Sequence, residues 1–188
     1  VIAATERDAA GSTPPRPTRE WCGLIAIDKP SGPTSHDVVD RVRRRLGLAT
    51  AGHLGTLDPM ATGLLMIAAG AATRCVSIWQ KGAKTYEGAA RFGIVTTTQD
   101  VTGEVLERRD VDLDPDAIRA ASLGLVGRID QIPPMVSAVK VGGERLYRIA
   151  RRGRSVERAP RSIEIQSWDW LSFDPPDARF RVRCSSGT

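Results

Sequence analysis

Gly52-His53-Leu54-Gly55-Thr56-Leu57-Asp58-Pro59-Met60-Ala61-Thr62-Gly63 runs directly into Leu64-Leu65-Met66-Ile67. Three glycines, one histidine, one carboxylate and one proline thus precede an apolar run of strand length. Glycine permits positive φ and close backbone approach, and Pro59 fixes the chain just beyond Asp58. The stretch reads as a stiff loop feeding a buried strand, with Asp58 held in it as a candidate nucleophile or general base. Asp-Pro is also common turn chemistry, so the dipeptide alone does not separate a site from a plain turn.

Working outward, Gly23-Leu24-Ile25-Ala26-Ile27-Asp28 is a second apolar run fit for a buried strand. After the turn Lys29-Pro30-Ser31-Gly32-Pro33-Thr34-Ser35, Ser35 is expected to cap a helix with Val38, Val39, Val42 and Leu46 on one face, ended by Gly47. Leu64 to Ala69 is expected as a strand. A helix is expected from Ala72 to Gln80, with Cys75, Val76 and Trp79 inward. Strands are expected at Thr85 to Phe92 and Gly103 to Arg108. Asp114 and Pro115 announce a helix over Ala117 to Leu123. A strand at Val136 to Val141, a Gly142-Gly143 turn and a helix over Glu144 to Arg152 follow. Two late strands are expected at Ser162 to Phe173 and Ala178 to Cys184. Strands and helices mix without strict βαβ alternation, which favours an α+β fold. Residues 1–20, rich in Ala, Pro, Thr and charge, read as a disordered leader to a domain spanning 21–188.

The 188 residues are 41% hydrophobic and 26% charged, the balance of a soluble globular chain able to bury a core unaided. No apolar run approaches the ~20 residues needed to cross a bilayer. Cys22, Cys75 and Cys184 are far apart, odd in number and without C-x-x-C spacing, which argues against a disulfide framework and a zinc site. A reduced, cytoplasmic protein is the simplest account, and a monomer is expected. The net charge is +5, and all but four of the 27 basic residues are arginine. Two runs concentrate them: Arg41 to Arg45, and Arg145, Arg148, Arg151, Arg152, Arg154, Arg158 and Arg161. Such runs are usually solvated faces, but the second opposes seven positive charges to Glu144 and Glu157, which favours phosphate contact.

Five segments in order carry a family resemblance. GHLGTLDPMATGLL resembles the catalytic motif of the TruB family of bacterial tRNA pseudouridine synthases. Lys29 to Ser35 resembles its N-terminal KPxGxTS motif, and Lys84-Thr85-Tyr86 the segment with its base-stacking tyrosine. Gly93 to Gly103 (GIVTTTQDVTG) and Gln131 to Lys140 (QIPPMVSAVK) resemble two further family segments. The likeness covers roughly Gly23 to Thr188. It implies the pseudouridine synthase fold, a mixed, largely antiparallel sheet with helices around a central cleft that binds RNA.

The resemblance also implies the chemistry: isomerisation of a uridine in the tRNA T-stem and loop to pseudouridine. No redox change or external group enters, so no cofactor is expected. His36 and His53 lack ligand spacing, so no metal is expected either. Asp58 becomes the expected nucleophile, attacking C1′ of the ribose or C6 of the uracil. Tyr86 is expected to stack on the flipped base and His53 to contact the RNA. Lys29 and Lys140 are expected either to meet substrate or to brace their loops. Arg148 and Arg152 are expected to meet phosphate. Thr96, Thr98 and Asp100 are expected to bond within their own turn.

Beyond Thr188 the family continues through a tyrosine and an arginine that pairs with the catalytic aspartate, then a small C-terminal RNA-binding domain. The catalytic domain is therefore expected to be truncated here, and the 188 residues alone to be inactive or nearly so. A rate within tenfold of a chain extended through that arginine would overturn the expectation. Two other readings stay open: a non-catalytic tRNA-binding or tRNA-folding module, and an RNA-guided synthase of a ribonucleoprotein.

Overall fold

The computed structural model describes residues 21–137 and 139–188, so the expected leader lies outside the described residues. They form two compact units, one ending at Lys81 and one spanning Gly82–Thr188.

In the first unit, β1 (Gly23–Lys29), β2 (Ala51–His53) and β3 (Gly63–Ala69) form an antiparallel sheet in the order β1-β3-β2. Helix α1 (Ser35–Arg45) packs Val38 and Val39 against Leu65 and Ile67 of β3, the centre of this unit's core. The apolar spacing in α1 behaves as read, but its cap does not. Thr34, not Ser35, is the N-cap, in a capping box with Asp37. Thr34 keeps extended backbone while Ser35 is already helical, so only Thr34 is placed to cap. Gly70–Cys75 forms a 3-10 turn and α2 is confined to Val76–Trp79, in place of one helix over 72–80. Val76 packs against Leu54, Ala68 and Ala72, whereas Trp79 is 39% exposed. The short α2 presents only one turn to the core, so Trp79 does not point inward as expected.

In the second unit, β4 (Lys84–Arg91), β7 (Gly127–Gln131), β10 (Arg161–Asp174) and β11 (Asp177–Cys184) form an antiparallel sheet in the order β4-β11-β10-β7. Ile163, Ile165, Val182 and Cys184 form its buried centre, flanked by Ile129, Trp168 and Phe180. Trp168 stacks on Phe180 with ring centroids 4.8 Å apart. Helix α3 (Pro115–Leu123) is capped by Asp114 as expected and tied to β10 by Trp170 Nε1 donating to Ser122 Oγ at 3.1 Å. Between these elements lie the hairpins β5 (Ile94–Thr96) with β6 (Val105–Arg108) and β8 (Lys140–Val141) with β9 (Glu144–Arg145).

Two expectations fail at the second hairpin. Among the described residues of 136–141 only Lys140–Val141 is strand, and α4 is confined to Leu146–Ala150. Gly142 and Gly143 both take positive φ, 58° and 85°, the backbone of a tight two-residue hairpin turn. That turn folds Glu144–Arg145 back as β9 before a helix begins. All strand pairs are antiparallel and mixed with helices, so the α+β, largely antiparallel expectation is met.

Candidate active site and RNA-facing residues

The first unit builds its site around the chain between β2 and β3. Ser35, 2% exposed at the start of α1, uses its hydroxyl twice: Oγ accepts from Leu57 N at 2.8 Å and donates to Leu57 O at 2.9 Å. Lys29, the last residue of β1, is fully buried. Its Nζ donates to Pro59 O (3.1 Å), Ala61 O (2.7 Å) and Pro30 O (3.0 Å). Gly32 N also donates to Pro59 O at 2.8 Å, and Ala61 N closes the turn onto Asp58 O at 3.0 Å. The backbone on both sides of Asp58 is thereby fixed by the Lys29-to-Ser35 turn. The Asp58 carboxylate is exposed, with no hydrogen bond or ion pair among the described residues.

An ammonium has three donors, and all three of the buried Lys29 end on backbone carbonyls. In this geometry Lys29 braces the loop. Ser35 was missed as a site residue because Ser at a helix start reads first as a cap. Its place in the KPSGPTS turn was the available signal. Ser35→Ala leaves Leu57 N–H and C=O without their partner, and is expected to cost about 1–3 kcal/mol. Thermal melting and faster amide exchange at Leu57 check this; unchanged exchange there would contradict it.

His53 is not a loop residue but the last residue of β2, paired with Ile67 of β3. It is half-buried, and its carbonyl accepts from Gln80 Nε2 at 3.4 Å.

The second unit carries the remaining candidates. Tyr86 lies on β4, an edge strand, opposite Val182 of β11, with the residue 41% exposed. Burial lifts its phenol above the usual tyrosine range, and Cys184 beside it adds to the shift. Tyr86 is therefore a neutral hydroxyl at neutral pH. Lys140 is exposed on β8. Arg152 is already held by Glu144, with Nη2 2.6 Å from Oε1, so its charge is partly spent within the chain. Arg148 and Arg151 flank the Tyr147 ring, 6.0 and 5.4 Å from its centroid. The Arg148 Nε–H donates to the Tyr147 hydroxyl at 3.4 Å and holds that phenol below its ordinary range. Tyr147 was overlooked in the sequence, although it is the one aromatic residue in the Arg145 to Arg161 run.

Thr96, Thr98 and Asp100 bond within their own turn, as expected. Thr96 Oγ1 donates to Asp100 O, and Asp100 Oδ1 accepts from Thr98 Oγ1, Thr102 N and Thr102 Oγ1. Burial pushes the Asp100 carboxyl up, but the hydrogen bonds from Thr102 and Thr98 outweigh it and hold it below its ordinary 3.8. A depressed carboxylate stabilises its turn above the unfolded value and loses that contribution as pH falls through the lower folded one. The Thr102 amide is therefore expected to stay protected down to pH ~4 and to lose protection below it. Hydrogen exchange across that window tests this, and flat protection would contradict it.

Among the described residues no group of three or more His, Cys, Asp or Glu is placed to hold a metal ion. No helix there is long and apolar enough to cross a membrane.

The family signature described as TruB family pseudouridylate synthase (N terminal domain) matches residues 43–188, more than three quarters of the chain. The chain belongs to the TruB family. It is 49% identical to the tRNA pseudouridine synthase B of Thermobifida fusca (strain YX), covering 88% of this chain and 60% of that relative. It is 47% identical to the protein of that name from Opitutus terrae, covering 92% and 72%, and 45% identical to that of Cupriavidus metallidurans, covering 96% and 59%. This TruB-family chain thus spans about 60% of the Thermobifida and Cupriavidus relatives. Among solved structures it is similar to a Cbf5-Nop10-Gar1 complex (TM-score 0.65, 31% identity, 88% of this chain and 40% of that one). It is also similar to an H/ACA RNP bound to a substrate RNA containing 2′-deoxyuridine (TM-score 0.61, 27% identity, 88% and 38%).

Proposed function

We propose that this chain carries the catalytic part of a cytoplasmic tRNA pseudouridine synthase, acting as a monomer on a uridine of the T-loop. The observation that carries the reading is the exposed Asp58 carboxylate in a loop whose flanking backbone is pinned by Lys29, Gly32 and Ser35. A nucleophile gains most when its approach is fixed before substrate arrives.

In the reaction the C1′–N1 bond of uridine breaks, the uracil turns, and C5 bonds to C1′. The proton leaves C5 to solvent and N1 gains one, so atoms balance with no second substrate. Asp58 supplies the carboxylate that forms and then releases a covalent bond, at C1′ or at C6. Tyr86 offers a half-exposed ring for the flipped base and a hydroxyl that remains protonated at neutral pH. His53, Lys140 and Arg148 face the RNA in this reading. Arg152 contributes less, because Glu144 already holds it.

The tRNA substrate is favoured by the 45–49% identity to proteins named tRNA pseudouridine synthase B. An RNA-guided reading is favoured by the solved ribonucleoprotein neighbours, at lower identity. Carbodiimide treatment and primer extension on free tRNA incubated with the enzyme separate them. A single new stop at the T-loop uridine is expected; modification that requires partner proteins and a guide RNA would support the second reading instead.

A further inference from the structure

The second unit contains an open cleft of about 480 Å³ between β8 and the run into β10. Pro133, Val139 and Val141 give it apolar wall, and Lys140, Arg158 and Arg161 line it against the single carboxylate of Glu157. Arg158 sets this cleft apart from the rest of the arginine run. Its Nε is buried and has no hydrogen-bond partner, and no ion pair engages its guanidinium among the described residues. Arg152, by contrast, is paired with Glu144. Buried N–H groups are almost always satisfied, so an unmet one on a residue that lines a cationic cleft singles out Arg158. The two terminal nitrogens of a guanidinium match two oxygens of a phosphate. The volume falls in the ~300–1,000 Å³ range of small-ligand sites, more than one phosphate fills, and the apolar wall suits a ribose or base.

We propose that this cleft seats one nucleotide, its phosphate on the Arg158 guanidinium with Lys140 and Arg161 beside it. The inference rests on the RNA-modifying reading above and adds a subsite to it. The ligand chemistry is a nucleotide phosphate, supplied either by an RNA strand or by a free nucleotide.

The test is a titration of the 188-residue chain, Arg158→Gln and Arg158→Lys with a labelled T-stem–loop RNA over a range of salt. UMP and inorganic phosphate serve as competitors, and thermal melting confirms folding. Arg158→Gln is expected to weaken RNA binding roughly tenfold at low salt and to flatten the slope of log K against log salt by about 0.7–0.9. Arg158→Lys is expected to recover the slope but not the full affinity. UMP is expected to displace the RNA at lower concentration than phosphate. Unchanged affinity and slope in a folded Arg158→Gln protein would overturn the proposal while leaving the synthase reading intact. UMP and phosphate of equal potency would overturn the nucleotide assignment. UMP binding that depends on Arg158, with no affinity for the T-stem–loop, would keep the cleft and remove the RNA reading.

Discussion

Lys29→Met is expected to destabilise the first unit strongly. Methionine matches the lysine stem in volume but cannot donate, so Pro30 O and Ala61 O lose their Nζ donor, while Pro59 O keeps Gly32 N–H. Leaving the Pro30 and Ala61 carbonyls without this donor costs up to about 1–3 kcal/mol each, less where water reaches the exposed Pro30. Removing a buried charge returns part of that, since a desolvated ammonium is itself costly. The net loss expected is about 2–4 kcal/mol, or roughly 4–16 °C in the melting temperature of a chain of 188 residues. Lys29→Arg is expected not to rescue it, because a fully buried pocket has no room for the guanidinium fork. A melting temperature within ~2 °C of the parent would show that the three hydrogen bonds do not hold the loop.

Asp58→Asn is expected to lower the single-turnover isomerisation rate by roughly 10⁴-fold or more, the scale seen when a member of a catalytic group is removed. Stability and RNA affinity are expected to change little. The Asp58 side chain makes no hydrogen bond or ion pair among the described residues, so the amide breaks no contact of the fold. The change therefore separates chemistry from scaffold, whereas Lys29→Met and Ser35→Ala act through the scaffold. Equal losses of rate and of RNA binding in Asp58→Asn would place Asp58 among the binding residues instead.

How much of this was legible in the sequence depended on how local the cause was. The runs at 23–28 and 64–69 are long and apolar enough to be strands in any context, and Asp114-Pro115 marks a helix start by itself. Strand β7 was invisible because Gly127–Gln131 has one apolar residue, Ile129, and exists through pairing along Arg161–Ile165 of β10. Strand β2 was hidden likewise, since three residues around Gly52 acquire their conformation from β3. The nucleophile candidate was readable from its motif. The contacts that hold its loop were not, because a loop-bracing lysine has no signature of its own in sequence and only the acceptors around Nζ reveal it. Arg158 was one of seven arginines in its run until burial distinguished it.

The central claim is that Asp58 performs the chemistry in a loop prepared for it. Tritium release from tRNA labelled at uracil C5 tests it most directly, using this chain, a chain extended through the arginine expected beyond Thr188, and Asp58→Asn in both. The account predicts release from the extended chain, little or none from this one, and none from either Asp58→Asn protein, while each still binds the tRNA. Release that persists without the carboxylate, or none from the extended chain despite tight tRNA binding, would contradict it.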